Sequence, residues 1–324
     1  MHSFQHYQEI LTKEINNLKF EREPRELYEP IEYILNIGGK RLRPVVTLMT
    51  CDIFGGDLEK AMYPAIGMEM FHNFTLIHDD IMDRAPVRRG FATVHTKWDE
   101  NRAILSGDAM LILANQFMLK AEDDVLREVM ELYNFSGLMV CDGQQYDMNY
   151  ESRNRTTIDE YIRMIELKTA VLISSCFRLG AVIAKTSTEN KNIIEKFGHN
   201  LGISFQLEDD ILDAFGDYNK FGKSIGGDIL ANKKTYLLLK AFELAKGKDL
   251  EALENWFEHK EHDPEHKVLG VLGIYNKLNI SELSKQASRY YFDISVQYLK
   301  QLQITDQARS TLFELADYLI NRDS

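Results

Sequence analysis

Apolar side chains recur along this chain at i, i+3 and i+4, the spacing that lines one face of an α-helix. No alternation of polar and apolar positions lasts long enough for a strand. Phe4, Tyr7, Ile10, Leu11, Ile15 and Leu18 form the first stripe. A second helix begins after Pro24, carries Leu27, Ile31, Ile34 and Leu35, and is stopped by Gly38-Gly39. The same spacing predicts helices over 42–54, 58–83, 100–120, 123–149, 158–185, 189–215, 233–246, 249–258, 280–302 and 306–322. The expected fold class is all-α. No run of Gly, Pro or Ser resembles a linker, so residues 1–324 read as a single domain.

Two of these helices carry charge where a buried face expects none. The stretch FHNFTLIHDDIMD, Phe71 to Asp83, ends an almost wholly apolar run in three aspartates. Asp79 and Asp83 are four apart and share a helix face, with Asp80 beside them and His72 two turns upstream, nearly in line. FQLEDDILD repeats the pattern with Asp209, Asp210 and Asp213. One acidic triplet is ordinary on a surface helix. Two copies on apolar helices suggest facing carboxylate clusters that hold hard divalent cations, with a polyanion such as diphosphate beyond the metal.

The basic stretches complete that picture. GGKRLRP, Gly38 to Pro44, frees the backbone at two glycines and sets Lys40, Arg41 and Arg43 close together. Alone it reads equally as a basic helix start after a glycine cap. Beside two acidic clusters it reads as a phosphate cradle. RAPVRRG, Arg84 to Gly90, reads as a short loop whose Arg88 and Arg89 form a second clamp. Lys168-Thr169 interrupts an apolar helix and Gln206 precedes Asp209 by three; snorkelling or packing competes with a site role for each. GKSIGGD, Gly222 to Asp228, is not a nucleotide P-loop, because Asp217 stands where that motif needs glycine and no strand precedes it. It is expected to be a glycine loop carrying Lys223, with Lys233 and Lys234 opening the next helix. Asp108 is expected to be a buried structural acid, and Asp123-Asp124 to sit at a helix start, where the dipole favours them. Gln144 and Asp147 share a face, with packing against the second aspartate helix and catalysis both open.

Composition narrows the classes. A hydrophobic content of 44% supports a substantial core, and a net charge of -12 argues against a nucleic-acid surface. Cys51, Cys141 and Cys176 lack the number and spacing of a disulfide framework or a zinc site. The first residues lack the basic start and apolar core of a secretory signal, and no apolar run is long enough to span a bilayer. A soluble, cytoplasmic protein is the expectation.

The motifs GGKRLRP, HDDIMD, RRG, GDAML, GQ, KT, FQLEDDILD, GKSIGGD and KKT occur in the order seen in the all-trans isoprenyl diphosphate synthases, and over nearly the whole length the chain resembles that family. The resemblance implies one bundle of long helices around a deep central cavity, usually as a homodimer, and about three Mg²⁺ per active site. It implies condensation of isopentenyl diphosphate with an allylic diphosphate (dimethylallyl, geranyl or farnesyl). Carried over by position, Asp79, Asp80 and Asp83, and from the opposite wall Asp209, Asp210 and Asp213, would hold the metal. Arg88, Lys168, Lys223 and Lys233 would grip the allylic diphosphate. Lys40, Arg43, His72 and Arg89 would hold isopentenyl diphosphate, while Lys168, Thr169 and Gln206 would lie near the reacting carbon.

In such a family the product grows beside the first aspartate helix, so bulk upstream of Asp79 sets its length. Phe71, Phe74 and Thr75 form the candidate floor, and Phe74, five residues before Asp79, resembles the archaeal-type geranylgeranyl diphosphate synthases. A twenty-carbon product is expected, with a fifteen-carbon farnesyl product the alternative. A non-catalytic regulatory subunit typically loses an aspartate motif, and both are whole here. A terpene cyclase needs no second diphosphate site, so GGKRLRP with Arg88-Arg89 argues against one.

Overall fold

A computed structural model describes residues 2–153, 155–216, 226–258 and 263–321. The expected all-α class holds: the chain is helical with a single two-stranded ribbon among the described residues. It resolves into two compact units. The first comprises Met1–Phe135, Ser175–Glu195 and Leu302–Thr311, and the second Ser136–Ser174, Lys196–Gln301 and Leu312–Ser324.

In the first unit α1 (Phe4–Asn17), α2 (Arg25–Asn36) and α3 (Leu42–Ile53) precede the long α4 (Leu58–Met82). Asp57 caps α4 by accepting from the Glu59 amide. Apolar residues lie on every side of this helix, so it is buried between α3 and α6 (Glu100–Met118). Gly67 lets α4 approach α6: a Cβ there would sit 3.0 Å from the Met118 side chain.

Between α4 and the short α5 (Val94–Lys97), the expected loop is a β-hairpin. Strand β1 (Val87–Arg88) pairs antiparallel with β2 (Phe91–Ala92). Its two loop residues, Arg89 and Gly90, have φ of 53° and 79°, the left-handed pair of a type I′ turn. Each strand is only two residues long, too short for alternation to be visible in the sequence.

Helix α7 (Asp123–Glu151) begins in the first unit and ends in the second. The predicted helix over 158–185 is divided: α8 (Ile158–Ile165) and α9 (Val171–Ile183) are joined by a π-helical turn, Glu166–Ala170. A widened turn of this kind often marks a functional site. Two glycines pack against it. A Cβ on Gly143 of α7 would overlap the Lys168 backbone nitrogen, and one on Gly202 of α10 (Thr188–Phe215) would lie 2.7 Å from the Ala170 Cα.

The remaining helices are α11 (Gly227–Leu230), α12 (Tyr236–Leu244), α13 (Lys248–Glu258), α14 (Pro264–Lys277), α15 (Ile280–Gln301) and α16 (Asp306–Ile320). Thr235 caps α12, so Lys233 and Lys234 precede that helix rather than opening it. Helix α14 was not among the predicted elements. Asp263-Pro264 is a good helix start, but Gly270 and Gly273 dilute the apolar stripe behind it.

Candidate active site

The first aspartate cluster sits on the last turns of α4, at the negative end of the helix dipole. Carboxylates are disfavoured there unless cations compensate, and the hairpin supplies them. Arg88 Nε donates to both oxygens of Asp80, at 2.8 and 2.9 Å, and its Nη2 lies 2.8 Å from Asp80 Oδ1 and 3.6 Å from Asp79 Oδ2. Burial pushes the Asp80 carboxyl up against the pull of Arg88, while for Arg88 the carboxylates of Asp80, Asp79 and Asp83 outweigh burial and raise it. Asp80 is thus the buried anchor of Arg88. Asp79 and Asp83 are left more accessible on the shared face.

The candidates for holding isopentenyl diphosphate, Lys40, Arg43, His72 and Arg89, lie in the same unit. The Arg89 guanidinium donates to the Gly38 carbonyl and lies against Gly39, where a Cβ would come 2.8 Å from it. This contact accounts for Gly39 and ties GGKRLRP to RRG, while Gly38 has a left-handed φ of 82°. Arg43 Nη1 is 3.0 Å from His72 Nε2; because arginine only donates, that ring nitrogen accepts. Burial and the nearby Arg43, Arg89 and Arg88 hold the imidazole well below its ordinary range, so His72 is neutral at pH 7. Lys40 is exposed ahead of α3. Arg41 departs from the cradle reading. It turns inward, its Nη1 2.7 Å from Glu69 Oε1 with both side chains 3% exposed, and it also donates to the Leu35 carbonyl. It braces the cradle from beneath, in a left-handed conformation with φ of 51°.

In the second unit, the π turn presents Lys168 and Thr169 to a small cavity of about 90 Å³ also lined by Asp147, Tyr161, Gln206, Asp210, Lys233 and Lys234. Lys168 Nζ is 2.6 Å from Asp147 Oδ2, and the Thr169 hydroxyl donates to Gln206 Oε1 at 2.9 Å. Gln206 Nε2 donates to Asp210 Oδ1 at 2.9 Å, and the Tyr161 hydroxyl donates to Asp210 Oδ2 at 2.6 Å. Burial, with Asp228 nearby, pushes the Asp210 carboxyl well up despite those two donors. Asp213 Oδ2 accepts from the Asp228 amide at 2.9 Å, which fastens the start of α11 to α10. Asp209 and Asp213 share a face of α10, as their spacing predicts. Lys223 lies outside the described residues.

The donor set fits a hard divalent cation: on each aspartate helix two carboxylates four apart share a face, with the third carboxylate held by protein partners. Among the described residues no three His, Cys, Asp or Glu side chains already converge on one point.

Asp108, expected to be buried, is exposed, with His78 Nε2 3.8 Å away. Asp123 and Asp124 do open α7, and Asp124 pairs with Lys185 at 2.7 Å. Along α4, Phe71 is 3% exposed and meets Phe74 at 5.7 Å between ring centroids and Tyr133 of α7 edge-to-face at 5.6 Å. Phe74 is only partly buried and stacks edgewise on His78. Tyr133 and Tyr161 were not singled out from the sequence. Both sit in apolar helical stripes that read as plain core.

In an all-helical chain, the site sets paired carboxylates beside guanidinium groups. The polyprenyl synthetase family model matches residues 24–272, and the chain belongs to that family. It is a prenyltransferase. It is 36% identical over 320 residues to a geranylgeranyl pyrophosphate synthase of Geoglobus acetivorans, covering 97% of this chain and 96% of that one. A geranylgeranyl diphosphate synthase of Methanosarcina mazei is 34% identical, with 93% of this chain and 91% of the relative covered. A crystal structure of a geranylgeranyl pyrophosphate synthase superimposes with a TM-score of 0.94 at 38% identity, over 100% of both chains. Family membership carries a divalent-metal requirement. Among the described residues no helix is long and apolar enough to cross a membrane.

Proposed function

We propose that this chain condenses isopentenyl diphosphate head-to-tail with an allylic diphosphate to give geranylgeranyl diphosphate. The observation that carries the reading is the end of α4, where Asp79 and Asp83 stand beside Arg88, which is fastened by Asp80. Arg43 and Arg89, with neutral His72 accepting from Arg43, complete a cradle in the same unit. A divalent-metal carboxylate pair next to a cradle of guanidiniums is suited to diphosphate and to little else.

The chain's own residues then divide the work. Asp79, Asp83, Asp209 and Asp213 would hold magnesium, with Asp80 and Asp210 keeping the neighbouring donors in place; about three ions are expected. When bound, magnesium neutralises the leaving diphosphate. Arg88, Lys168, Lys223 and Lys233 grip the allylic diphosphate and let its C–O bond ionise. Lys40, Arg43, Arg89 and neutral His72 orient isopentenyl diphosphate, whose double bond attacks the allylic carbon. Thr169 and Gln206 steady the positive charge, and apolar walls keep water away. The final proton leaves to the released diphosphate. None of the aspartates transfers a proton.

The names of the relatives and the phenylalanine five residues before Asp79 support a twenty-carbon product; farnesyl diphosphate is the alternative. The reading extends to one polyprenyl synthetase domain over 1–324, a cytoplasmic location and a homodimer. Leu105, Ile112 and Leu119, seven apart and exposed along α6 and its end, are suited to a second copy. Sedimentation should give the dimer mass, and Ile112→Glu should lower it.

The deciding experiment is mass spectrometry of products from dimethylallyl diphosphate and excess labelled isopentenyl diphosphate with Mg²⁺. A twenty-carbon product supports the proposal and a fifteen-carbon one the alternative. Absence of elongation by folded protein overturns both.

A further inference from the structure

The row of hydrogen bonds that reaches Thr169 starts at a hydroxyl the proposed chemistry does not use. Tyr161 is 1% exposed, and its ring packs in the core of the second unit beside Met164, Ile165, Ile203 and Leu207. Its hydroxyl spends its proton on Asp210 Oδ2 at 2.6 Å. We infer that Tyr161 is a positioning residue that sets, through Asp210 and Gln206, which way the Thr169 hydroxyl oxygen faces. The inference rests on the proposed allylic ionisation for its purpose, though not for its geometry.

Each link follows from what the groups can donate and accept. Asp210 accepts on both oxygens, from Tyr161 at Oδ2 and from Gln206 Nε2 at Oδ1. With its NH₂ turned to the carboxylate, Gln206 presents Oε1 to Thr169, 2.9 Å away. That oxygen only accepts, so Thr169 must donate. The lone pairs of the hydroxyl then point away from Gln206. This is the arrangement an adjacent allylic cation requires, whereas a hydroxyl proton aimed at the cation would repel it.

Without the phenol, Asp210 Oδ2 is a buried acceptor lacking its donor. The carboxylate turns to recover one, and Gln206 loses the constraint that holds its amide in one sense. A reversed amide would offer NH₂ to Thr169, which would then accept and turn its proton outward. Packing alone would not need the hydroxyl, since phenylalanine fills nearly the same volume.

Tyr161→Phe in the full chain therefore separates positioning from packing. The expected result is a roughly 10- to 100-fold fall in kcat, with KM for both diphosphates held within about twofold. Thr169→Val should show a similar fall, Thr169→Ser should retain activity, and Tyr161→Phe combined with Thr169→Val should be no worse than either alone. Wild-type kcat in Tyr161→Phe, a loss confined to KM, or additive losses would each overturn the inference, including when the melting temperature drops. A crystal structure of Tyr161→Phe reads the relay without activity. Gln206 displaced from Asp210 or Thr169 supports it, and an unchanged Gln206 overturns it. If wild-type protein elongates nothing, the functional proposal fails while that structure still judges the relay.

Discussion

Glu69→Gln would leave the Arg41 guanidinium buried without its counter-charge. The pair is 2.7 Å apart with both side chains 3% exposed, so neither solvent nor salt screens it. Removing one partner of such a pair costs about 3–5 kcal/mol, because the remaining charge cannot return to water. The Leu35 carbonyl still accepts from Arg41, and glutamine keeps an oxygen in reach, which places the loss near the lower figure, about 3 kcal/mol. At about 2–4 °C per kcal/mol for a unit of this size, the melting temperature should fall by roughly 6–12 °C. Scanning calorimetry on both proteins at one pH measures it. Replacing both residues, Arg41→Met with Glu69→Leu, removes the desolvation cost along with the attraction. Its stability should return close to wild type. The isopentenyl diphosphate KM should nevertheless rise, since the buried anchor between Lys40 and Arg43 in the chain, Arg41 held by Glu69 and the Leu35 carbonyl, is then gone. A Glu69→Gln protein that melts within about 1 °C of wild type would refute the brace, as it would place the pair with surface ion pairs of little worth.

Asp79→Asn should lower turnover by about 100-fold or more, with partial recovery at raised Mg²⁺ and little change in melting; full activity at limiting Mg²⁺ would remove Asp79 from the metal set. Phe71→Ala should cost about 3–5 kcal/mol of stability, and both it and Phe74→Ala should lengthen the product seen by mass spectrometry. An unchanged product in both would place the floor elsewhere. Neutral, burial-depressed His72 predicts a pH dependence of stability. Its folded value lies below the unfolded one, so on acidification the unfolded chain takes up the proton first. Stability attributable to His72 is therefore constant above about pH 6.5 and falls below it, by up to ~1.4 kcal/mol per pH unit. Urea titrations of wild type and His72→Gln at pH 5 and 7 should show the smaller acid loss in the variant.

Much of this protein is determined locally and could be read without coordinates. Helical periodicity is a property of neighbouring residues, so the all-α class and most helix boundaries followed from it. The exceptions are local features too brief or too diluted to carry a period: the two-residue strands at Val87–Arg88 and Phe91–Ala92, the four-residue helices α5 and α11, the π turn at Glu166–Ala170, and the glycine-interrupted α14. The candidate site residues were equally visible, because carboxylates four apart on an apolar helix and cations after a double glycine are costly without a compensating partner, for which metal and diphosphate are proposed. What tertiary structure alone decided is the division of labour within each motif. Arg41 and Arg43 are two apart, on different sides of the chain, so one enters the core against Glu69 and the other meets His72. Asp79 and Asp80 differ by one position, and only the hairpin's Arg88 makes Asp80 the buried anchor. Tyr161 lies far from Asp210 in sequence, and its hydroxyl is one atom on a core ring. Its role exists only because α8 and α10 pack together, a contact between distant segments that no local pattern encodes.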